Sequence, residues 1–148
     1  MRITKNMHAA SAKTAVIFST LLGMISGSAA GNVAVTGTLT IPMMKKEGYQ
    51  NHQAGAIEAV VSTGGQIMPP VMGATAFIMA EIIGKPYTEI MKAGLLPALL
   101  FFASTFFVVH FQAKKSGLKP KKYKDDGEST IMVLLNGLQF IIPFLSLI

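Results

Sequence analysis

Four long apolar runs alternate with short polar stretches along the chain, and two of the runs are broken from within by small and polar residues. The first occupies residues 14–44. Its arms, Thr14 to Ser26 and Val33 to Met44, hold 13 and 12 residues and flank the sequence Gly27-Ser28-Ala29-Ala30-Gly31-Asn32. As helices they would reach about 20 and 18 Å at 1.5 Å per residue, against a hydrocarbon core of about 30 Å. Neither arm spans alone, so the stretch predicts a re-entrant helical hairpin with its tip at mid-membrane depth. Unpaired backbone at that depth is tolerated only beside protein or a hydrated cavity. Pro42, Lys45, Lys46, Glu47 and Gly48 are expected to end the second arm, and residues 45–53 to form a polar connection.

The second run, 54–83, is interrupted by Ser62-Thr63-Gly64-Gly65-Gln66 and by Pro69-Pro70. Adjacent prolines remove two backbone donors and disfavour helix just before them, which predicts a discontinuous transmembrane helix. A short amphipathic link over 84–93 leads to an unbroken, aromatic-rich span at 94–111. Residues 112–129 form a basic hydrophilic loop, and 130–148 a final span. Residues 1–13 are a polar, basic N-terminal segment in which Ser11 or Thr14 can cap the first helix. The fold class is therefore all-α: a polytopic membrane protein with a re-entrant hairpin, a discontinuous transmembrane helix and two further spans.

Composition agrees with this reading. Of the 148 residues 51% are hydrophobic and 14% charged, which disfavours a soluble fold. The net charge of +6 comes from cations lying between apolar runs, with no basic stripe interleaved with aromatics, so nucleic acid is not a partner. Cytoplasmic loops are enriched in Lys and Arg. A re-entrant hairpin places eleven such cations on the inner side and only Lys85 and Lys92 on the outer, whereas a single crossing by 14–44 divides them five against eight. Two complete crossings would keep the same parity; the shortness of the arms favours the hairpin. Arg2, Lys5 and Lys13 before an apolar run, with Ser28-Ala29-Ala30 following, also resemble a secretory signal, but the small residues and the hydrophobic segments continue well past that point.

The candidate chemistry lies in the two interruptions. Ser26, Gly27, Ser28 and Asn32 at the hairpin tip, with Thr63, Gly64, Gly65 and Gln66 at the helix break, offer hydroxyl, amide and free carbonyl oxygens. Hard oxygen ligands suit sodium, and helix N-termini favour an anionic substrate group. Ser26, Ser28 and Asn32 are the side chains expected to hold the sodium. The bland alternatives are a small-residue packing seam at the tip and a simple proline kink at the break. Glu58 and Glu81 fall near the expected ends of the broken helix, where they can reach interfacial water. Thr75 is expected to bond back to its own helix, and Phe101, Phe102, Phe106 and Phe107 to face lipid or scaffold. The lysines of 114–124 read as a topology signal that can touch anionic lipid. No nucleophile with a base, paired metal ligands or phosphate-binding loop is present, so neither an enzyme nor a bound cofactor is expected.

The run GMISGSAAGNVAVTGTLTIPMMKKEGY, then AGAIEAVVSTGGQIMPPVMGATAFIMAE and PYTEIMKAGLLPALLFF, closely resembles the large membrane subunit of tripartite ATP-independent periplasmic (TRAP) transporters. The style of the motifs is similar to the fused branch served by TAXI-type binding proteins. A serine-rich hairpin, an IP-x-M-x-x-x-GY turn and a G-x-I-x-PP break appear in order within about residues 14–111. The resemblance implies an elevator-type, sodium-coupled importer of small organic anions, usually carboxylates, in the bacterial or archaeal inner membrane. Its implied partners are a periplasmic binding protein and the remainder of the permease or a small membrane subunit. It also implies that Ser26, Ser28, Asn32, Thr63 and Gly65 form one sodium site beside the substrate. The family core uses two inverted repeats, each with a hairpin and a broken helix. This chain carries one such pair, as a fragment or split subunit would. A structural subunit and a small oligomeric channel are the competing classes.

Overall fold

A computed structural model describes residues 9–118. The expectations for residues 1–8, for the basic loop beyond 118 and for a span at 130–148 lie outside the described residues. The helices are α1 (Ala10–Ser26), α2 (Ala29–Glu47), α3 (Asn51–Gly64), α4 (Ala74–Ile83) and α5 (Tyr87–Lys115), with a 3-10 turn at Gly65–Ile67 after α3. Among the described residues there is no strand, so the all-α class holds.

Residues 14–44 do fold back on themselves, but the arms are longer than expected, 17 and 19 residues, or about 25 and 28 Å. Both extensions have a local cause. The α1 N-terminus is capped from a distance: the Glu47 carboxylate accepts from the Ala10 amide at 3.0 Å and the Ser11 amide at 2.9 Å, and also bonds the Ser11 hydroxyl. A carboxylate there satisfies orphan donors and complements the helix dipole. Ser11 and Thr14 are thereby relieved of capping, and the Thr14 hydroxyl turns back to the Ala10 carbonyl at 2.8 Å. At the other end Pro42 lies inside α2 rather than ending it; the helix runs on to Glu47 and stops at Gly48, whose φ of 109° is left-handed.

The second run breaks as expected, with the interruption slightly later. Helix α3 begins at Asn51 and continues to Gly64, the 3-10 turn follows, Met68 is extended, and α4 resumes at Ala74. Only residues 84–86 separate α4 from α5, so most of the expected amphipathic link is the first turns of α5. Helix α5 has 29 residues and is long and apolar enough to cross a membrane. It runs antiparallel to the broken helix: Tyr87 stacks on Phe77 with centroids 4.3 Å apart, a Cβ on Gly94 would fall 2.8 Å from Met72 Cε, and one on Gly64 would enter the Phe101 ring.

Polarity is inverted relative to a water-soluble domain. Ser11, Lys13, Ser19, Asn32, Thr36, Thr40, Glu58 and Ser62 are buried, while Phe77, Ile78, Ile82, Leu96, Leu100 and Phe107 are exposed. The apolar part of the core mixes small and large side chains, Ala12 and Ala15 beside Met44, Ile57, Val61, Phe102 and Val109. The four phenylalanines divide accordingly: Phe102 is in the core, Phe101 and Phe106 lie against it, and Phe107 faces outward. Lys13 is drawn inside, its Nζ 3.0 Å from His110 Nδ1 and 5.0 Å from the Phe106 ring centroid.

Helix α1 meets the end of α3 through two glycines. A Cβ on Gly23 would fall 2.5 Å from Gly65 Cα, a backbone atom that has no way to yield, whereas one on Gly55 meets nothing within 4 Å. Gly23→Ala should therefore cost about 1–3 kcal/mol by overpacking, and Gly55→Ala should raise stability by about 0.5–1 kcal/mol; melting of both variants in nanodiscs checks the pair. Tyr49, between α2 and α3, is buried and its hydroxyl has no hydrogen-bond partner among the described residues. Burial first, and then the Glu47 charge, push its phenol above the usual tyrosine range. A raised folded pKa contributes stability that is complete below the unfolded value of about 10 and is lost as pH rises beyond it. Tyr49→Phe should leave neutral-pH stability unchanged or slightly raised and flatten the alkaline decline, which melting against pH measures.

Candidate functional site

The hairpin tip and the helix break meet. Helix α1 ends where Gly27 turns left-handed at φ 59°, and Ser28, extended, starts α2 by accepting from the Gly31 amide at 3.2 Å. Only glycine fits at 27, because a Cβ there would lie 1.9 Å from the Met72 carbonyl oxygen. Val71 donates its amide to the Met24 carbonyl at 3.1 Å, and Gly73 donates to the Gln66 carbonyl at 2.7 Å. The loop between α3 and α4 is thus hydrogen-bonded both to the tip and to itself. Two helix N-termini, at Ser28 and Gly73, and two C-termini, at Gly27 and Gly65, come together here. Such ends carry partial charges of opposite sign.

Asn32 sits one turn into α2 and is 0% exposed. Its Nδ2 donates to the Ser19 carbonyl at 2.8 Å, while Oδ1 has no hydrogen-bond partner among the described residues. A Cβ added to Gly65 would stand 3.4 Å from Asn32 Nδ2, and one on Gly23 would stand 3.2 Å from it. The structure therefore brings Asn32, Gly64 and Gly65 together in the interior, with Gln66 half-buried beside them. Ser26, Ser28 and Thr63 are exposed. Ser28 caps α2, Ser26 Oγ accepts weakly from the Ser28 amide at 3.4 Å, and the Thr63 hydroxyl bonds back to the Ala59 carbonyl at 2.7 Å. None of these three side chains is hydrogen-bonded to Asn32 or across the break.

Glu58 departs most from expectation. It lies in the interior rather than near a wetted helix end, and is 0% exposed. Ser19 and Ser62 donate to its Oε1 at 3.1 Å each, and the hydroxyls of Thr36 and Thr40 bond Oε1 and Oε2. Sequence position misled because α3 starts three residues before the apolar run. The available signal was spacing: Glu58 and Ser62 on one helix, and Thr36 and Thr40 on another, are i,i+4 pairs that each form one face. Glu81, by contrast, is exposed as expected.

A helical protein with a polar interior, an apolar exterior and two chain breaks joined inside it has the build of a membrane transport component. The chain belongs to the family of the tripartite ATP-independent periplasmic transporter, DctM component, whose model matches residues 1–148. Among curated relatives it is 31% identical over 104 residues to the uncharacterized protein y4mL of Sinorhizobium fredii, covering 70% of this chain and 24% of that one. It is 26% identical over 110 residues to the 2,3-diketo-L-gulonate TRAP transporter large permease protein YiaN of Escherichia coli, covering 74% of this chain and 25% of that one. It is 34% identical over 100 residues to the isethionate TRAP transporter permease protein DctMQ of Oleidesulfovibrio alaskensis, covering 64% and 15%. The chain thus spans about a quarter, or less, of the length of these relatives. No solved structure matches it significantly.

Proposed function

We propose that the chain is part of a secondary-active, sodium-coupled permease that imports small organic anions, carboxylates foremost, across a bacterial or archaeal inner membrane by elevator-type alternating access. A periplasmic binding protein delivers the anion, and the remainder of the permease with a small membrane subunit completes the site. Two relatives are named for the anions 2,3-diketo-L-gulonate and isethionate, which supports that substrate class.

One observation carries the reading: a fully buried carboxamide oxygen, Asn32 Oδ1, without a hydrogen-bond partner among the described residues, where a hairpin tip meets a helix break. A buried acceptor left unpaired is costly, and a sodium ion held between it and the carbonyls at Gly65 would satisfy it. Ser26 and Ser28 lie at the same tip and join the ligands if the tip tightens around the ion. The N-termini of α2 and α4 then face the anion, while the C-termini of α1 and α3 face the cation.

Depth supports a re-entrant hairpin. The break is level with the stretch from Gly94 to Phe101 of α5, within the middle half of a helix about 43 Å long. The tip is bonded to that break through Met24 and Val71, which supports a tip at the same depth. A pure packing seam is the competing reading, favoured by the Gly23–Gly65 contact; solvent-accessible cysteines at residues 26–32 would separate a transport site from a seam.

In the complete permease reconstituted with its binding protein, Ser28→Ala together with Asn32→Ala should raise the sodium concentration for half-maximal uptake by about tenfold or more, a loss of about 1.4 kcal/mol. An unchanged sodium dependence would overturn the ion site.

A further inference from the structure

We propose that Glu58 and the four hydroxyls around it form a second cation site, separate from the hairpin tip, that takes a sodium-class alkali ion. The ligand set comes from three helices, Ser19 on α1, Thr36 and Thr40 on α2, and Glu58 with Ser62 on α3. All six oxygens are hard, which suits an alkali ion. One carboxylate matches one positive charge, whereas divalent sites gather more acidic ligands. No group of three or more acidic, histidine or cysteine ligands occurs among the described residues.

Charge makes the case. Glu58 is wholly enclosed, and among the described residues its hydrogen-bond partners are all neutral hydroxyls. Among the described residues no cation is paired with it: Lys13 of α1 is engaged with His110 of α5, and Glu47 of α2 caps the far end of α1. Burying an uncompensated carboxylate is strongly unfavourable.

Proton counting points the same way. The Thr36 hydroxyl lies 2.7 Å from the Asn32 carbonyl and the Thr40 hydroxyl 2.9 Å from the Thr36 carbonyl. Each hydroxyl has one hydrogen. When those hydrogens serve the backbone, two oxygen lone pairs face the carboxylate, an arrangement that a positive charge between them makes favourable. The Thr36 bond to Asn32 and the Asn32 bond to the Ser19 carbonyl also tie this cluster to the tip, so occupancy of one site would be felt at the other. The inference stands without the tip site.

The test is thermal melting of the full chain in nanodiscs, in sodium chloride against an equal concentration of N-methylglucamine chloride at one fixed pH, with Asn32→Ala as the background so that the tip does not contribute. In that background the Tm should rise with sodium. Adding Glu58→Gln should abolish that response, which separates failure here from failure of the tip. Ser62→Ala, which removes one oxygen and keeps the charge, should raise the cation concentration for half the effect by roughly tenfold, and so serves if Glu58→Gln does not fold. In the Asn32→Ala background, a Tm indifferent to sodium, a response retained after Glu58→Gln, or an unmoved midpoint after Ser62→Ala would overturn the proposal.

Discussion

The contact of Gly23 with Gly65 sets the arrangement of everything around it. With no side chain on either residue, the backbones of α1 and of the turn after α3 approach more closely than any Cβ would allow. That approach fixes how deep the hairpin lies against the broken helix. Asn32 is enclosed because of it, and the tip at Gly27 reaches the Met72 carbonyl because α1 ends at the right level. Close approach of helices through small residues is the general means of association where surrounding lipid offers no hydrophobic drive.

The distribution of polarity follows from the same constraint. Where three helices are drawn tightly together, serine and threonine fill much of the space around Asn32 and Glu58 while bonding either backbone or one another. The Ser19, Thr36, Thr40 and Ser62 hydroxyls all turn inward to Glu58. Large apolar side chains are displaced to the perimeter of α4 and α5, where a bilayer or the rest of a larger permease would cover them.

Much of this architecture was legible in the sequence because its causes are local. Glycine, serine and paired prolines interrupt helices wherever they occur, so the turn at Gly27-Ser28 and the break before α4 could be placed to within a few residues. What escaped was non-local. The start of α1 at Ala10 depends on Glu47, thirty-seven residues away, and no propensity at residues 10–14 announces it. Pro42 looked like a terminator, but α2 is held by packing along its length, which a single missing donor does not undo. Glu58 was misplaced by distance from the end of an apolar run, whereas its burial is decided by hydroxyls on two other helices. Within the site, the sequence picked out Asn32 and Gly65, which do meet, along with Ser26, Ser28 and Thr63, whose hydroxyls are engaged near their own backbone.

The link from Glu47 to Ala10 and Ser11 also has a mechanical meaning. It fastens the open end of the hairpin, opposite the turn at Gly27-Ser28, so α1 and α2 form a closed ring tied at both ends. Such a ring resists splaying, and a push on its turn is borne by the whole pair of helices. Any excursion of the tip would then be levered from the far end, where Tyr49, Lys13 and His110 lie.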